Sequence, residues 1–126
     1  MSDSEQPLAG AHRLQREAAA LGFDWRETAE LWGKLAEEIG ELQAAVSEGP
    51  ARIEDELGDL LFMAVNLARH LGVDASAALA GANAKFARRF AHVCAELERL
   101  PPIGDPRRIV EMEARWQDAK RAEKSR

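Results

Sequence analysis

The chain has 126 residues, of which 46% are hydrophobic and 31% are charged, and its formal net charge is −5. These values are typical of one soluble globular domain with a modest core, and the excess of acids argues against a surface for nucleic-acid polymers. No apolar run is long enough to span a membrane, and the first residues lack the basic and apolar regions of a signal peptide. We therefore expect a cytoplasmic protein without membrane contact. The single cysteine, Cys94, is interpreted as a small core residue.

Helical periodicity runs through most of the chain, and no strand pattern accompanies it. Residues 1–7 are polar and aperiodic, so we predict that they are disordered. Residues 8–126 are predicted to form a single domain, with helices at about 8–21, 25–47, 51–71, 75–100 and 107–123. Glycine and proline residues separate these segments. Because most of the connections are short, we predict an all-α antiparallel bundle of about five helices.

Apolar stripes mark the helix faces that we expect to be buried. Leu14, Ala18 and Leu21 share one side of the first helix, Phe23 and Trp25 are expected in the core, and Asp24 is expected to cap the second helix. The stripes of the second and third helices are Thr28, Trp32, Leu35, Ile39, Leu42 and Val46, followed by Ile53, Leu57, Leu60, Ala64, Leu67 and Leu71. The third helix is also apolar on its other sides between residues 60 and 65. We therefore predict that a second copy of the chain covers this additional apolar surface, in a homodimer or a tetramer of dimers.

Two pairs of carboxylates flank the turn at residues 47–50, Glu38 with Glu41 and Glu56 with Asp59, each at i,i+3 spacing. Both pairs lie to the same rotational side of their stripes and equally far from the turn. In antiparallel neighbouring helices all four acids would therefore share one side at one level. Such a cluster repels itself unless a cation neutralises it. Hard oxygen ligands without Cys or His indicate Mg²⁺, or Mn²⁺ as a substitute, rather than zinc or copper.

Other candidate sites are weaker or open to two interpretations. An isolated acidic pair is usually a solvated surface, and a di-iron bundle requires Glu-x-x-His, which none of the histidines completes. On the fourth helix, Lys85 and Arg89 are at i,i+4 spacing, and Asn83 is nearby. These residues form either an exposed basic face or a binding site for a polyanion. On the last helix, Trp116 and Lys120 are i,i+4, and Trp116 is either a core residue or a base-stacking residue.

Taken together, the motifs of the chain are similar to those of a known family. They are GFDW at 22–25, KLAEEIGEL at 34–42, ELGDLLF at 56–62, VNLARHLG at 65–72, ANAKFARRF at 82–90, and Trp116 with Lys120. On these residues the chain resembles the MazG family of nucleoside triphosphate pyrophosphohydrolases, within the all-α superfamily that includes dimeric dUTPases. The resemblance covers about residues 14–120, and it looks like the second, catalytic domain of the two-domain members.

The resemblance implies hydrolysis of a nucleoside triphosphate between its α and β phosphates, as a nucleotide-pool house-cleaning enzyme. The family pattern of ExxE followed by ExxD falls on the same four acids, which bind Mg²⁺ in the family. Arg52 stands where relatives can carry lysine, which is not equivalent at a phosphate site. The implied substrate-binding residues are Arg52, Asn83, Lys85, Arg89, Trp116 and Lys120. The alternative is an inactive helical interaction module that binds a basic partner or a nucleotide. The preferred base and sugar stay open.

Overall fold

The computed structural model describes residues 5–124, and within this range the chain is helical without any strand. Five α-helices follow in chain order, α1 (Pro7–Ala20), α2 (Thr28–Ala45), α3 (Pro50–His70), α4 (Ala75–Val93) and α5 (Pro106–Lys124), with a 3-10 turn at Leu97–Arg99. The predicted all-α class is confirmed. Of the segment predicted to be disordered, residues 1–4 lie outside the described range. Between residues 5 and 124, no helix is both long enough and apolar enough to cross a membrane.

The chain divides into two compact units, one ending at Ala78 and the other beginning at Leu79. The first unit contains α1, α2, α3 and the start of α4, and the second contains the remainder of α4 and α5. In the first unit, α2 packs along α3, and α1 packs against α3. The single domain expected across residues 8–126 stays a prediction.

A tight turn joins α2 to α3. Gly49 has a φ of 108°, which glycine adopts without the steric penalty of a side chain, and Pro50 occupies the first turn of α3, where a missing N–H costs nothing. So short a connection makes α2 and α3 antiparallel neighbours, as the sequence predicted.

The start of α2 differs from the prediction. The helix begins at Thr28 rather than near Trp25, and the Glu27 N–H donates to the Glu30 carboxylate at 3.0 Å. Glu30 therefore satisfies an N–H at the helix start, and the prediction that Asp24 caps α2 was wrong. Asp24 instead bridges to α3, where its carboxylate accepts hydrogen bonds from Arg69.

The buried faces of the first unit also differ from the predicted stripes. On α2, Leu31, Glu38 and Ala45 are buried at intervals of seven residues, whereas Trp32 and Ile39 are 56% and 47% exposed. The buried face of α2 is therefore rotated by about one residue from the predicted stripe, and Glu38, rather than an apolar residue, lies at its centre. On α1 the buried side chain is Gln15, while Leu14 and Leu21 are exposed, and Phe23, which we expected in the core, is exposed as well.

The boundaries of α4 are set by side-chain hydrogen bonds. The Asp74 carboxylate accepts from the N–H groups of Ser76 and Ala77 at 2.9 and 3.2 Å, which confirms the predicted cap. The helix ends at Val93 and not near residue 100, and Arg115 of α5 donates to the carbonyls of Val93 and Ala95. These bonds satisfy carbonyl groups that have no partner inside the helix.

Candidate functional site

The hairpin of α2 and α3 brings three of the four predicted acids together. Glu38, Glu56 and Asp59 each offer a carboxylate oxygen, and these oxygens all lie within 4.8 Å of one another. Glu38 and Glu56 are each only 6% exposed, whereas Asp59 is exposed. The cluster therefore has two buried carboxylates and one on the solvent side.

The buried carboxylates are only half satisfied. Glu38 Oε1 lies 3.4 Å from the Lys34 ammonium, and Glu56 Oε1 accepts from the Arg52 guanidinium at 2.6 Å. The Oε2 atoms of both glutamates are buried without a hydrogen-bond partner among residues 5–124. Leaving a buried charged oxygen unpaired is costly, and a hard divalent cation is a ligand that would engage both. The residues present therefore fit a Mg²⁺ site.

Glu41 lies outside the group of three, on the exposed side of α2. The negative charge of Glu38 raises the pKa of the Glu41 carboxyl above its usual value, and desolvation and the charge of Glu56 add to this rise. Glu41 follows Glu38 by three residues, so it lies within one helical turn of the cluster. It is available for a different role from the three clustered acids.

Two basic side chains, Lys34 on α2 and Arg52 on α3, form ion pairs with acids of the hairpin. Lys34 bonds to Glu37 at 3.1 Å as well as approaching Glu38, and Arg52 donates to Asp55 at 3.0 Å as well as to Glu56. Lys34 was not among the predicted site residues, although its i,i+4 spacing to Glu38 was a signal for the pair. Arg52, a predicted phosphate ligand, is engaged with carboxylates here.

The other predicted substrate residues lie in the second unit. There the Arg89 guanidinium lies over the Trp116 ring, 5.6 Å from its centroid, and the Phe86 ring is 5.5 Å from the same ring. Trp116 also borders an apolar cavity of about 260 Å³ between α4 and α5. The structure thus joins Arg89 and Trp116. Asn83 and Lys85 are exposed on α4, and Lys120 is half-buried on α5.

The Glu123 carboxylate is hydrogen-bonded to two arginines of α4, Arg88 and Arg89. Its carboxylate accepts from Arg89 Nε at 3.0 Å and Nη2 at 2.9 Å, and from Arg88 Nε at 3.0 Å. The hydrogen bonds from Arg89, followed by those from Arg88, lower the pKa of the Glu123 carboxyl to about 2. The carboxylate therefore stands where an anionic ligand of these two guanidinium groups would bind.

Residues 26–94, more than half of the chain, match the family model of the MazG nucleotide pyrophosphohydrolase domain. The chain belongs to this family. The nucleoside triphosphate pyrophosphohydrolase of Escherichia coli K12 is 42% identical over 125 residues, which cover 92% of this chain and 45% of that protein. The nucleoside triphosphate pyrophosphohydrolase/pyrophosphatase MazG of Thermotoga maritima is 37% identical over 113 residues, or 90% of this chain and 44% of that protein.

The MazG assignment confirms the resemblance stated from the motifs. The segment that matches the MazG model contains all four acids and also Arg52, Asn83, Lys85 and Arg89, whereas Trp116 and Lys120 lie beyond it. The chain spans less than half the length of the two relatives.

Proposed function

We propose that this MazG-family chain hydrolyses a nucleoside triphosphate between its α and β phosphates, releasing a nucleoside monophosphate and pyrophosphate. The observation that carries the proposal is the pair of buried, unpaired oxygens of Glu38 and Glu56 beside Asp59. The names of the relatives support the substrate class. The biological role that follows is removal of unwanted nucleotides from the cytoplasmic pool. Release of pyrophosphate that EDTA abolishes is the test.

The acids hold the cation in this proposal. Glu38, Glu56 and Asp59 are the ligands for Mg²⁺, with Mn²⁺ as a substitute, because all three present hard oxygen atoms to one point. When bound, the cation supplies charge neutralisation and Lewis acidity at the phosphate oxygens. Because Mg²⁺ usually takes only one or two protein carboxylates, these three acids have capacity for more than one ion.

Glu41 is the residue that we assign to the attacking water. It lies at the edge of the cluster and is exposed, so its carboxylate has room for a water molecule beside the phosphate. A carboxylate in this position orients the water and accepts its proton as the oxygen attacks phosphorus. The three clustered acids are occupied by the cation and are less suited to this task.

Cationic side chains neutralise the charge that moves onto the phosphates. Of the predicted phosphate-binding residues, Arg52 is the one that contacts an acid of the cluster, Glu56. When substrate binds, its guanidinium leaves the Glu56 carboxylate and donates to a phosphate oxygen instead. Asn83, Lys85 and Arg89 are the further phosphate-binding residues that the family resemblance implies. Trp116 and Lys120 are assigned to further contacts with the nucleotide.

Lys85→Ala should raise KM about ten-fold and lower kcat about ten-fold, because the ammonium binds phosphate in the ground state and stabilises the leaving pyrophosphate. Steady-state kinetics with the preferred nucleotide measure both constants. Lys124→Ala is the matched control, an exposed lysine that has no assigned role. Kinetics of Lys85→Ala that equal those of the control would remove Lys85 from the site.

We also propose that the chain forms a homodimer or a tetramer of dimers. Large apolar side chains are exposed on both hairpin helices, including Trp32 and Ile39 on α2 and Leu57 and Leu61 on α3. Exposed apolar side chains in such number are often covered by a partner. Sedimentation velocity should give a multiple of the 13.9 kDa chain mass, and Leu61→Glu should reduce it. A wild-type mass of a single chain at micromolar concentration would contradict the proposal.

A further inference from the structure

One face of α5 carries Trp116, Lys120 and Glu123, which follow one another at positions i, i+4 and i+7 of the helix. Trp116 and Lys120 are predicted to contact the nucleotide, whereas Glu123 has no part in that prediction. An acid among residues that bind a polyanion repels the substrate unless its charge serves another purpose. The contacts of Glu123 with α4 indicate what that purpose is.

Glu123 holds the Arg89 guanidinium by one edge. The Arg89 side chain is 16% exposed, and its Nε and Nη2 atoms both donate to Glu123 Oε1, at 3.0 and 2.9 Å. Because a guanidinium carries five N–H groups in a rigid plane, this contact sets its orientation. The Nη1 atom has no hydrogen-bond partner among residues 5–124. The terminal edge of the group therefore stays available to an anion.

The Trp116 ring restrains the same guanidinium from a second direction. The central carbon of the Arg89 guanidinium lies over this ring, 5.6 Å from the centroid, which is within the range of a cation–π contact. Phe86 in turn packs against the ring, with 5.5 Å between the two centroids. A carboxylate at one edge and an aromatic ring beside it leave the Arg89 side chain little rotational freedom.

Arg88 binds the other oxygen of the Glu123 carboxylate. Its Nε donates to Oε2 at 3.0 Å, although the Arg88 side chain is 59% exposed, so water weakens this contact. With both oxygens bound, the carboxylate cannot turn away from Arg89 without losing a hydrogen bond. Glu123 also lies between two like charges that adjacent residues bring to one place. The three groups together keep a net positive charge, which is favourable for binding phosphate.

We infer that Glu123 is a positioning residue for nucleotide hydrolysis, which holds the Arg89 guanidinium in the orientation that receives a phosphate oxygen. The inference rests on the proposed function, because it assumes that Arg89 binds phosphate. An arginine that is ordered in advance does not have to be ordered when the substrate binds, so affinity increases. Glu123 does not contact the nucleotide itself, and its effect passes through Arg89. The opposite role, an internal competitor of the phosphate, fits less well because the terminal edge of Arg89 is already free.

The test compares KM and kcat of the full chain with Mg²⁺ and the preferred nucleotide, in the wild type and in Glu123→Gln. This substitution keeps the shape of the side chain and removes its charge. We expect kcat/KM to fall about ten-fold, mainly through a rise in KM, because a less ordered Arg89 weakens the binding of phosphate. Asp118→Asn is the matched control, since it removes the charge of another acid of α5, one that pairs with Arg121. It should leave both constants unchanged.

The same substitution in an Arg89→Ala background tests whether Glu123 acts through Arg89. If it does, adding Glu123→Gln to Arg89→Ala should change kcat/KM less than about two-fold, because the group to be oriented is already absent. Arg88→Ala covers the case in which Glu123→Gln fails to fold. Arg88 is exposed, and its loss should raise KM about three-fold by freeing one oxygen of the Glu123 carboxylate.

The direction of the change in KM decides between the possible roles of Glu123. A lower KM in Glu123→Gln would overturn the inference and identify Glu123 as a competitor of the phosphate. An unchanged KM, with kcat reduced only by the unfolded fraction, would overturn it in favour of a structural ion pair. A ten-fold loss that persists in the Arg89→Ala background would also overturn it. Each of these results leaves the proposed function standing, whereas no hydrolysis of any nucleotide by the folded wild type would overturn the proposed function and the inference with it.

Discussion

Glu56→Gln should lower turnover of the preferred nucleotide at least about 1000-fold while the chain stays folded, because it removes a direct ligand of the proposed cation. Changing outer partners of metal ligands already costs about 10- to 100-fold, so loss of a ligand should cost more. The substitution keeps the side-chain shape and removes only the charge. Pyrophosphate release measures turnover, and thermal unfolding followed by circular dichroism measures stability.

Without metal, the same substitution should not destabilise the fold. Glu56 is a buried carboxylate close to those of Glu38 and Asp59, so removal of its charge relieves repulsion. Its partner Arg52 is half exposed and remains solvated when the bond is lost. Glu54→Gln makes the same change two residues earlier at an exposed position and should retain activity. If Glu56→Gln loses activity only in proportion to the fraction unfolded, the assignment of Glu56 as a ligand is wrong.

Asp24→Asn should lower the free energy of unfolding by about 2 kcal/mol at neutral pH, because a charge-assisted, bidentate contact with Arg69 is lost. The two side chains are 25% and 14% exposed, so water replaces the lost bonds only in part. The contact also ties the loop before α2 to α3, and His70 Nε2 lies 3.0 Å from the same carboxylate. Urea unfolding measures the difference. Asp55→Asn is the control, since its contact with Arg52 is on the surface and should contribute little.

The stabilisation by Asp24 should depend on pH in one direction. The Arg69 guanidinium holds the pKa of the Asp24 carboxyl well below its usual range in the folded chain, whereas the unfolded chain has a value of about 3.9. The contribution is therefore fully present above the unfolded pKa and is lost as the pH falls below about 4 toward the folded pKa. The difference in stability between wild type and Asp24→Asn should shrink in that range. A difference that is constant from pH 7 to pH 3 would contradict the ion pair.

The acid cluster could be predicted from the sequence because helix geometry is regular. The spacing of Glu38 and Glu56 about a short turn fixes their relative height once the turn makes the two helices antiparallel neighbours. The face of α2 could not be predicted as well, because periodicity assigns burial to apolar residues and Glu38 is buried at the centre of the interface. Hydropathy does not indicate the burial of a carboxylate there.

Features that depend on distant partners could not be predicted from local sequence. Asp24 has the composition and position of a helix cap, and only its contact with Arg69, 45 residues away, gives it another role. The end of α4 is likewise set by Arg115, 22 residues beyond Val93. Gln15 looks like a surface residue in a polar helix, and its burial becomes visible only when α1 packs against α3.

The most direct measurement of the central claim is nucleotide hydrolysis by the full chain with Mg²⁺, with and without EDTA, across standard and modified nucleoside triphosphates. The products are separated to identify the bond that is cleaved. We predict a nucleoside monophosphate and pyrophosphate in equal amounts from at least one nucleotide, and no product in EDTA. Release of inorganic phosphate with a diphosphate would contradict cleavage between the α and β phosphates. Absence of any product from folded protein supplied with metal would contradict the enzyme and favour a helical binding module.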